Sequence, residues 1–277
     1  MTEKQNISFT INRGNSLIDG ANGTIRAQID QDLIKDADVA LIKMSIPVSW
    51  QNITQAKNNN TFQYRWIDNA LYNVIIPDSS LEITDINGFM QFQMKQNGHY
   101  LIDSLGNDVY YLSMQVNAVY YRVTVIATTV PLILPTGWTN PSAIPLNGLC
   151  PQLVLSTTSD FNLIVGGVKG NEYPPINTQT DSLNFENVPD VKTISSIYLD
   201  SNFVYNPIQN NQYLFAFQPT ALFGSYQIEE PNHVSFYNMI NGSYSELILR
   251  LVDQNGNIVP FQDPDLSISL IIRINKL

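Results

Sequence analysis

The sequence predicts an all-β protein, a β-sandwich of which the jelly roll is one form, with one or two short helices. Three observations carry this expectation. Apolar residues recur with a period of two along much of the chain. Gly, Pro and Asn interrupt the apolar runs at short intervals, as turns between short strands require. Charged residues, which solvate long helices, make up only 14% of the chain, and polarity comes from Asn, Gln, Ser and Thr instead.

Near the start, Ile7, Phe9 and Ile11 alternate with polar residues, and Ile25, Ala27 and Ile29 do so again. Residues 39–46 are largely apolar at both parities, which predicts a central strand covered on both faces. A short strand at 72–76 is stopped by Pro77. The runs 109–116 and 119–126 flank Asn117-Ala118 and predict a hairpin, with Val119, Tyr121, Val123 and Val125 on one face. Further strands are expected at 191–199, 212–217 and 233–240. Towards the end, Leu247, Leu249 and Leu251 alternate, and Leu266, Ile268, Leu270, Ile272 and Ile274 share a face. Between these two strands, Asn255-Gly256 supplies the positive φ of a tight hairpin turn. A helix is expected at about 80–96, where Leu81, Ile83, Ile86, Phe89, Met90 and Met94 form a partial stripe ended by Asn97-Gly98. A second short turn is expected at 159–165, before Gly166-Gly167.

At 277 residues the chain is long enough for one large β domain or two smaller ones. Prolines concentrate between Pro131 and Pro151, but the strand pattern resumes beyond them without a change in composition. That favours a single domain over 1–277 with a long insertion at about 128–160. The net charge of −10 disfavours nucleic acid and anionic lipid as partners. No apolar run is long enough for a membrane span, and residues 1–6 carry no signal-peptide pattern. The sequons at Asn6, Asn22, Asn52, Asn59 and Asn241 are read as silent.

Candidate chemistry is sparse, and no catalytic, cofactor or metal residue is assigned. Cys150, between Leu149 and Pro151, reads as a small buried apolar residue and has no second cysteine to pair with. His99 follows the expected helix end, where a surface or capping role is ordinary, and His233 is expected to begin a strand. Asp253, Asn255 and Asn257 match the start of a calcium loop, with Asp263 and Asp265 as further oxygens. Ile258 and Pro264, however, stand where such a loop needs Gly and Glu, so a hairpin turn is the simpler account. The carboxylate pairs Asp30/Asp32, Asp36/Asp38 and Glu229-Glu230 read as solvated loop charges rather than a glycosidase pair. Residues 166–170 are glycine-rich but do not match a phosphate-binding loop. Aromatics are the more suggestive feature. Tyr110-Tyr111 and Tyr120-Tyr121 place a ring on each face of their strands, as cross-strand pairs or as contacts to a partner.

Several segments, taken in order, resemble one family. They are Ser45-Ile46-Pro47-Val48-Ser49 running on to Asn52-Ile53, then Asn59-Asn60-Thr61-Phe62-Gln63-Tyr64, then Tyr72-Asn73-Val74-Ile75-Ile76-Pro77-Asp78. After them come Leu247 to Leu251 with Asp253-Gln254-Asn255-Gly256, and the last strand from Leu266. Together they resemble the minor capsid, or penton, proteins of virophages and Maverick/Polinton-type elements. The family's Gly-x-Tyr element is replaced here by Ser79-Ser80-Leu81, and residues 97–245 carry no matching motif. The resemblance implies a jelly roll, a homopentamer at each five-fold vertex of an icosahedral virion, and a double-jelly-roll major capsid protein as neighbour. It also implies assembly in the host cytoplasm and no enzymatic activity or cofactor. The other function the residues allow is a β-sandwich that binds a host receptor or glycan, with exposed aromatics such as Trp138 as contacts.

Overall fold

The computed structural model describes residues 4–34, 36–205 and 212–275. They form two compact units, residues 1–51 with 194–277 and residues 52–193. The first unit opens with β1 (Lys4–Asn12), β2 (Ser16–Asp19), β3 (Thr24–Ile34) and β4 (Ala37–Pro47). The second holds β5 (Thr61–Arg65), β6 (Leu71–Ile75), α1 (Ile83–Gln96), β7 (Leu101–Ile102), β8 (Asp108–Val109) and β9 (Leu112–Asn117). It continues through β10 (Arg122–Ala127), β11 (Gln152–Val154), α2 (Phe161–Val165), β12 (Glu172–Tyr173) and β13 (Asp181–Asn184). The chain returns to the first unit for β14 (Ile197–Ser201), β15 (Tyr213–Phe217), β16 (Tyr226–Glu229), β17 (Tyr237–Asn238), β18 (Gly242–Asp253) and β19 (Ser267–Asn275).

The first unit is a jelly roll. One sheet has the order β1-β19-β4-β16, with β17 also on β4, and the other β15-β14-β18-β3-β2. Leaving aside the short β2 and β17, strands pair first with last: β1 with β19, β3 with β18, β4 with β16, and β14 with β15, all antiparallel. An antiparallel ribbon rolled up on itself gives this order. Ile11, Val39, Leu41, Met44, Ile46, Ile268 and Leu270 of one sheet face Ile25, Ile197, Leu199, Leu247, Leu249 and Leu251 of the other, all buried.

β4 is the central strand that was expected, and a bulge accounts for part of its burial at both parities. Leu270 pairs with Leu41 but Ser269 pairs with Lys43, so β4 carries one extra residue there. This bulge switches the parity. Val39 and Leu41 on one side of it, and Met44 and Ile46 on the other, therefore all point inward, while Lys43 is exposed. Gly20 fixes a second close approach, because a Cβ there would lie 2.1 Å from the Phe261 carbonyl oxygen.

The insertion expected at about 128–160 lies within a larger compact unit. The inserted segment is the whole of residues 52–193, between β4 and β14, with its own core. Residues 128–160 lie within it and contribute buried Val130, Ile144, Cys150, Leu153 and Leu155 to that core. The boundary was hidden because strands on either side of it share one composition. The unit's sheets run β12-β11-β5-β6 and β13-β10-β9, with β7 and β8 as a hairpin. Helix α1 lays Ile83, Ile86, Met90 and Met94 into the core, and Phe161 of α2 stacks on Phe62 with ring centroids 4.4 Å apart. The helix starts at Ile83 rather than near 80 because Asn52 holds Leu81 through both its N–H and its carbonyl. It ends at Asn97-Gly98 as expected, with the His99 N–H on the Met94 carbonyl at 2.8 Å.

His99 is buried, contrary to its expected surface role. Its ring stacks on Trp66 at 4.4 Å and meets Tyr64 and Tyr72 edge-on. The Tyr64 hydroxyl accepts a hydrogen bond from Asn97 Nδ2 and lies 2.8 Å from His99 Nδ1. The buried phenol hydrogen has an acceptor only if Nδ1 is unprotonated, so the neutral imidazole carries its proton on Nε2. Burial pushes the His99 pKa down from 6.5 to about 4, and the charge of Asp68 opposes that only in part. Burial likewise pushes Tyr64 up to about 12.

Two predictions follow. Gly20→Ala should destabilise the protein by about 2–3 kcal/mol in chemical denaturation, since backbone must move to admit the methyl. Stability should also fall as pH drops through the window from 6.5 to about 4, where the unfolded chain takes up a proton that folded His99 refuses. The loss amounts to about 3 kcal/mol. Melting temperatures across that window should show the slope in the wild type and a flatter profile in His99→Gln.

Candidate functional site

The residues with candidate chemistry have structural partners. Cys150 is buried, its Sγ donates to the Gln179 carbonyl at 3.2 Å, and burial pushes the thiol pKa up. Asp253 caps its own hairpin: one carboxylate oxygen accepts the N–H groups of Asn255 and Asn257, both at 2.8 Å, and the other accepts Asn257 Nδ2. Asp103 makes the same set of bonds to Leu105 and Asn107, so Asp-x-x-Gly-Asn is used twice, at 103–107 and 253–257. Asp263 accepts the Asp265 N–H, and Asp265 pairs with Arg13 at 3.1 Å. Asp38 pairs with Arg273 at 2.8 Å, and Glu230 with Lys43 at 3.4 Å. Glu229 accepts from Gln227. The side chains of Asp30 and Asp32 lie outside the described residues. Among the described residues, no three His, Cys, Asp or Glu side chains gather as a metal site would require. Gly166 is the left-handed cap of α2, and Gly167 packs against Leu155 and Phe185.

The aromatic pairs fall differently from expectation. Tyr110 and Tyr111 lie between β8 and β9, and Tyr111 is buried. The hairpin pairs Asn117 with Arg122, so Val119, Tyr120 and Tyr121 form its turn rather than a strand face. Tyr121 holds a left-handed φ of 51°, strained for a ring-bearing residue. Arg122 donates to the carbonyls of both tyrosines and braces the tip, where Tyr120 is 64% and Tyr121 76% exposed. Trp138 is half-buried against the core of the second unit.

The strongest surface feature is one the sequence did not reveal. β16 is an edge strand whose Gln227 side chain turns inward, opposite buried Ile46, with half-buried Glu229 on the same face. The Gln227 amide oxygen accepts the N–H groups of Thr220 and Ala221 at 3.0 and 2.9 Å, fixing the turn that follows. Gly224, at φ 79°, donates to the Val48 carbonyl, and Val48 donates back to Ser225. This frame holds Leu222 at 80% and Ile228 at 59% exposure, with Phe223 and Tyr226 beside them. Exposed large apolar side chains grouped along one edge are a signature of contact surfaces. The opposite edge of the same sheet is β1, with exposed Gln5, Asn6, Ser8 and Thr10 and half-buried Ile7 and Phe9.

No helix among the described residues is long and apolar enough to cross a membrane. No protein-family model matches the chain, and no curated protein matches it. Among solved structures, the chain is similar to the mavirus penton protein at 10% identity and a TM-score of 0.44, over 99% of this chain and 99% of that one.

Proposed function

We propose that this chain is a non-enzymatic capsid protein that forms the pentameric five-fold vertices of an icosahedral virion. The observation that carries the reading is the first sheet of the jelly roll, which has two unlike open edges, one of them apolar and braced. A ring needs such a heterologous contact, in which one surface of each copy meets a different surface of the next. The β16 edge, with Leu222, Phe223, Tyr226 and Ile228, supplies one surface, and the β1 edge supplies the other. A stable interface takes about 800 Å² from each partner, with an apolar centre and a polar rim. The ordered segments that resemble virophage and Maverick/Polinton-type penton proteins support the same reading. Its partners are then further copies of itself and a double-jelly-roll major capsid protein, with assembly in the host cytoplasm. The braced tyrosine tip at 119–121 favours a second role on such a vertex, contact with a host receptor or glycan.

Light scattering over a concentration series should give a closed pentamer, alone or on mixing with the major capsid protein. Leu222→Asp combined with Ile228→Asp should give monomers of unchanged circular dichroism and melting temperature. A wild-type chain that stays monomeric under both conditions would sink the proposal.

A further inference from the structure

The broken edge of the first sheet creates a second site. On the side of β4 away from β19, β16 pairs with residues 44–47 and β17 with residues 38–39, so among the described residues no strand covers 40–43. This gap lies at the β4 bulge, and Pro231 in the connecting segment has no N–H to continue a ladder. A cleft of about 380 Å³ opens there, with Leu41 among the residues that line it. Tyr198, Tyr213 and Phe215 of β14 and β15 line it, as do His233, Ser235 and Tyr237.

The lining chemistry narrows the ligand. Among the described residues, none of the lining side chains is a carboxylate, ammonium or guanidinium, so a charged ligand would lose hydration without a counter-charge. The volume falls in the range of small-molecule sites. The Tyr198 and Tyr213 rings stack with centroids 4.7 Å apart and 28° between their planes, which fixes both in place before any ligand arrives. Tyr237 faces the cleft as a further half-buried ring, while His233 and Ser235 are exposed at its rim. Flat aromatic surfaces suit a ring with an apolar C–H face, and phenol, imidazole and hydroxyl groups suit a ligand rich in hydroxyls. We propose that this cleft binds a neutral pyranose sugar. It belongs to the first unit, whereas Trp138 and the tyrosine tip belong to the second, and it does not depend on ring formation.

Saturation-transfer NMR on the full chain, with galactose, N-acetylglucosamine and lactose as probes, tests this. The expected result is transfer to the pyranose C–H protons of at least one sugar. Tyr237→Ala should weaken that binding by roughly tenfold, the factor that 1.4 kcal/mol represents. Tyr213→Phe keeps the ring and should retain binding, and Trp138→Ala should leave it unchanged. Circular dichroism must match the wild type in each variant; if Tyr237→Ala fails to fold, Tyr198→Ala takes its place. No transfer from any neutral sugar overturns the proposal. So does transfer that survives loss of the ring, or transfer confined to N-acetylneuraminic acid, an anionic sugar.

Discussion

The first unit depends on the parity switch in β4. This strand is central to its sheet, bonded to β19 on one side and to β16 and β17 on the other. An 11-residue strand of strict alternation would turn either Val39 and Leu41 or Met44 and Ile46 out to solvent. The extra residue between Leu41 and Lys43 brings all four into the core, where each is almost completely buried. At roughly 1.5–3 kcal/mol for each large apolar side chain buried, the bulge decides whether this sheet can cover its partner at all. Beside it, among the described residues, no strand pairs with the outer edge of β4 across 40–43, and the neutral aromatic cleft lies in that gap.

What was legible in the sequence is what depends on near neighbours. Alternation from Leu266 onward sets one face of β19, and the turn at Gly256 was recognisable because it needs the positive φ of 79° found there, although it does not join β18 to β19 as a hairpin, since the two strands lie in different sheets. The helix α1 and its stop at Asn97-Gly98 were recognisable for the same kind of reason. The bulge was not, because an inserted residue in an apolar strand looks like a strand apolar on both faces. Asp103 was missed as a turn cap because Gly106-Asn107 reverses the familiar order, although its bonds duplicate those of Asp253. The Tyr120-Tyr121 pair was assigned to a strand because alternation from Val123 extends backwards through it, whereas the chain reverses there and Tyr121 takes the strain.

The candidate contact surface was still less legible. β16 has only four residues, lies between Gly224 and Pro231, and offers Tyr226 and Ile228 as its only alternating apolar pair. Nothing local says that Gln227 is the buried member and the two apolar residues the exposed ones. That inversion follows from pairing with Ile46, far away in sequence, and from the inward turn of the Gln227 amide to hold Thr220 and Ala221. An exposed apolar pair on a rigid edge invites strand-to-strand association. Here Glu229, Glu230 and Pro231 end the edge abruptly, so the surface favours a bounded side-chain contact over open-ended sheet extension. A closed ring has that requirement, because a contact that extended without limit would build a filament.

The insertion of a whole second unit into the jelly roll follows from the same topology. Residues 52–193 interrupt the ribbon between its third and fourth main strands, after β4 and before β14. An unstructured insert would cost closure entropy that grows only slowly with length, but it would leave the ends free to wander. This insert fastens its own ends. Asn52, its first residue, donates through Nδ2 to the carbonyl of Val191 at 2.9 Å and to that of Leu81 at 2.8 Å. Its Oδ1 accepts the Leu81 N–H at 3.0 Å. One side chain therefore ties the start of the second unit to its last residues and to the approach of α1. To the jelly roll, the insert is a loop whose two ends are already held together. The long-range pairs β1–β19 and β3–β18, which close the first unit, can then form across it as they would across a short connection.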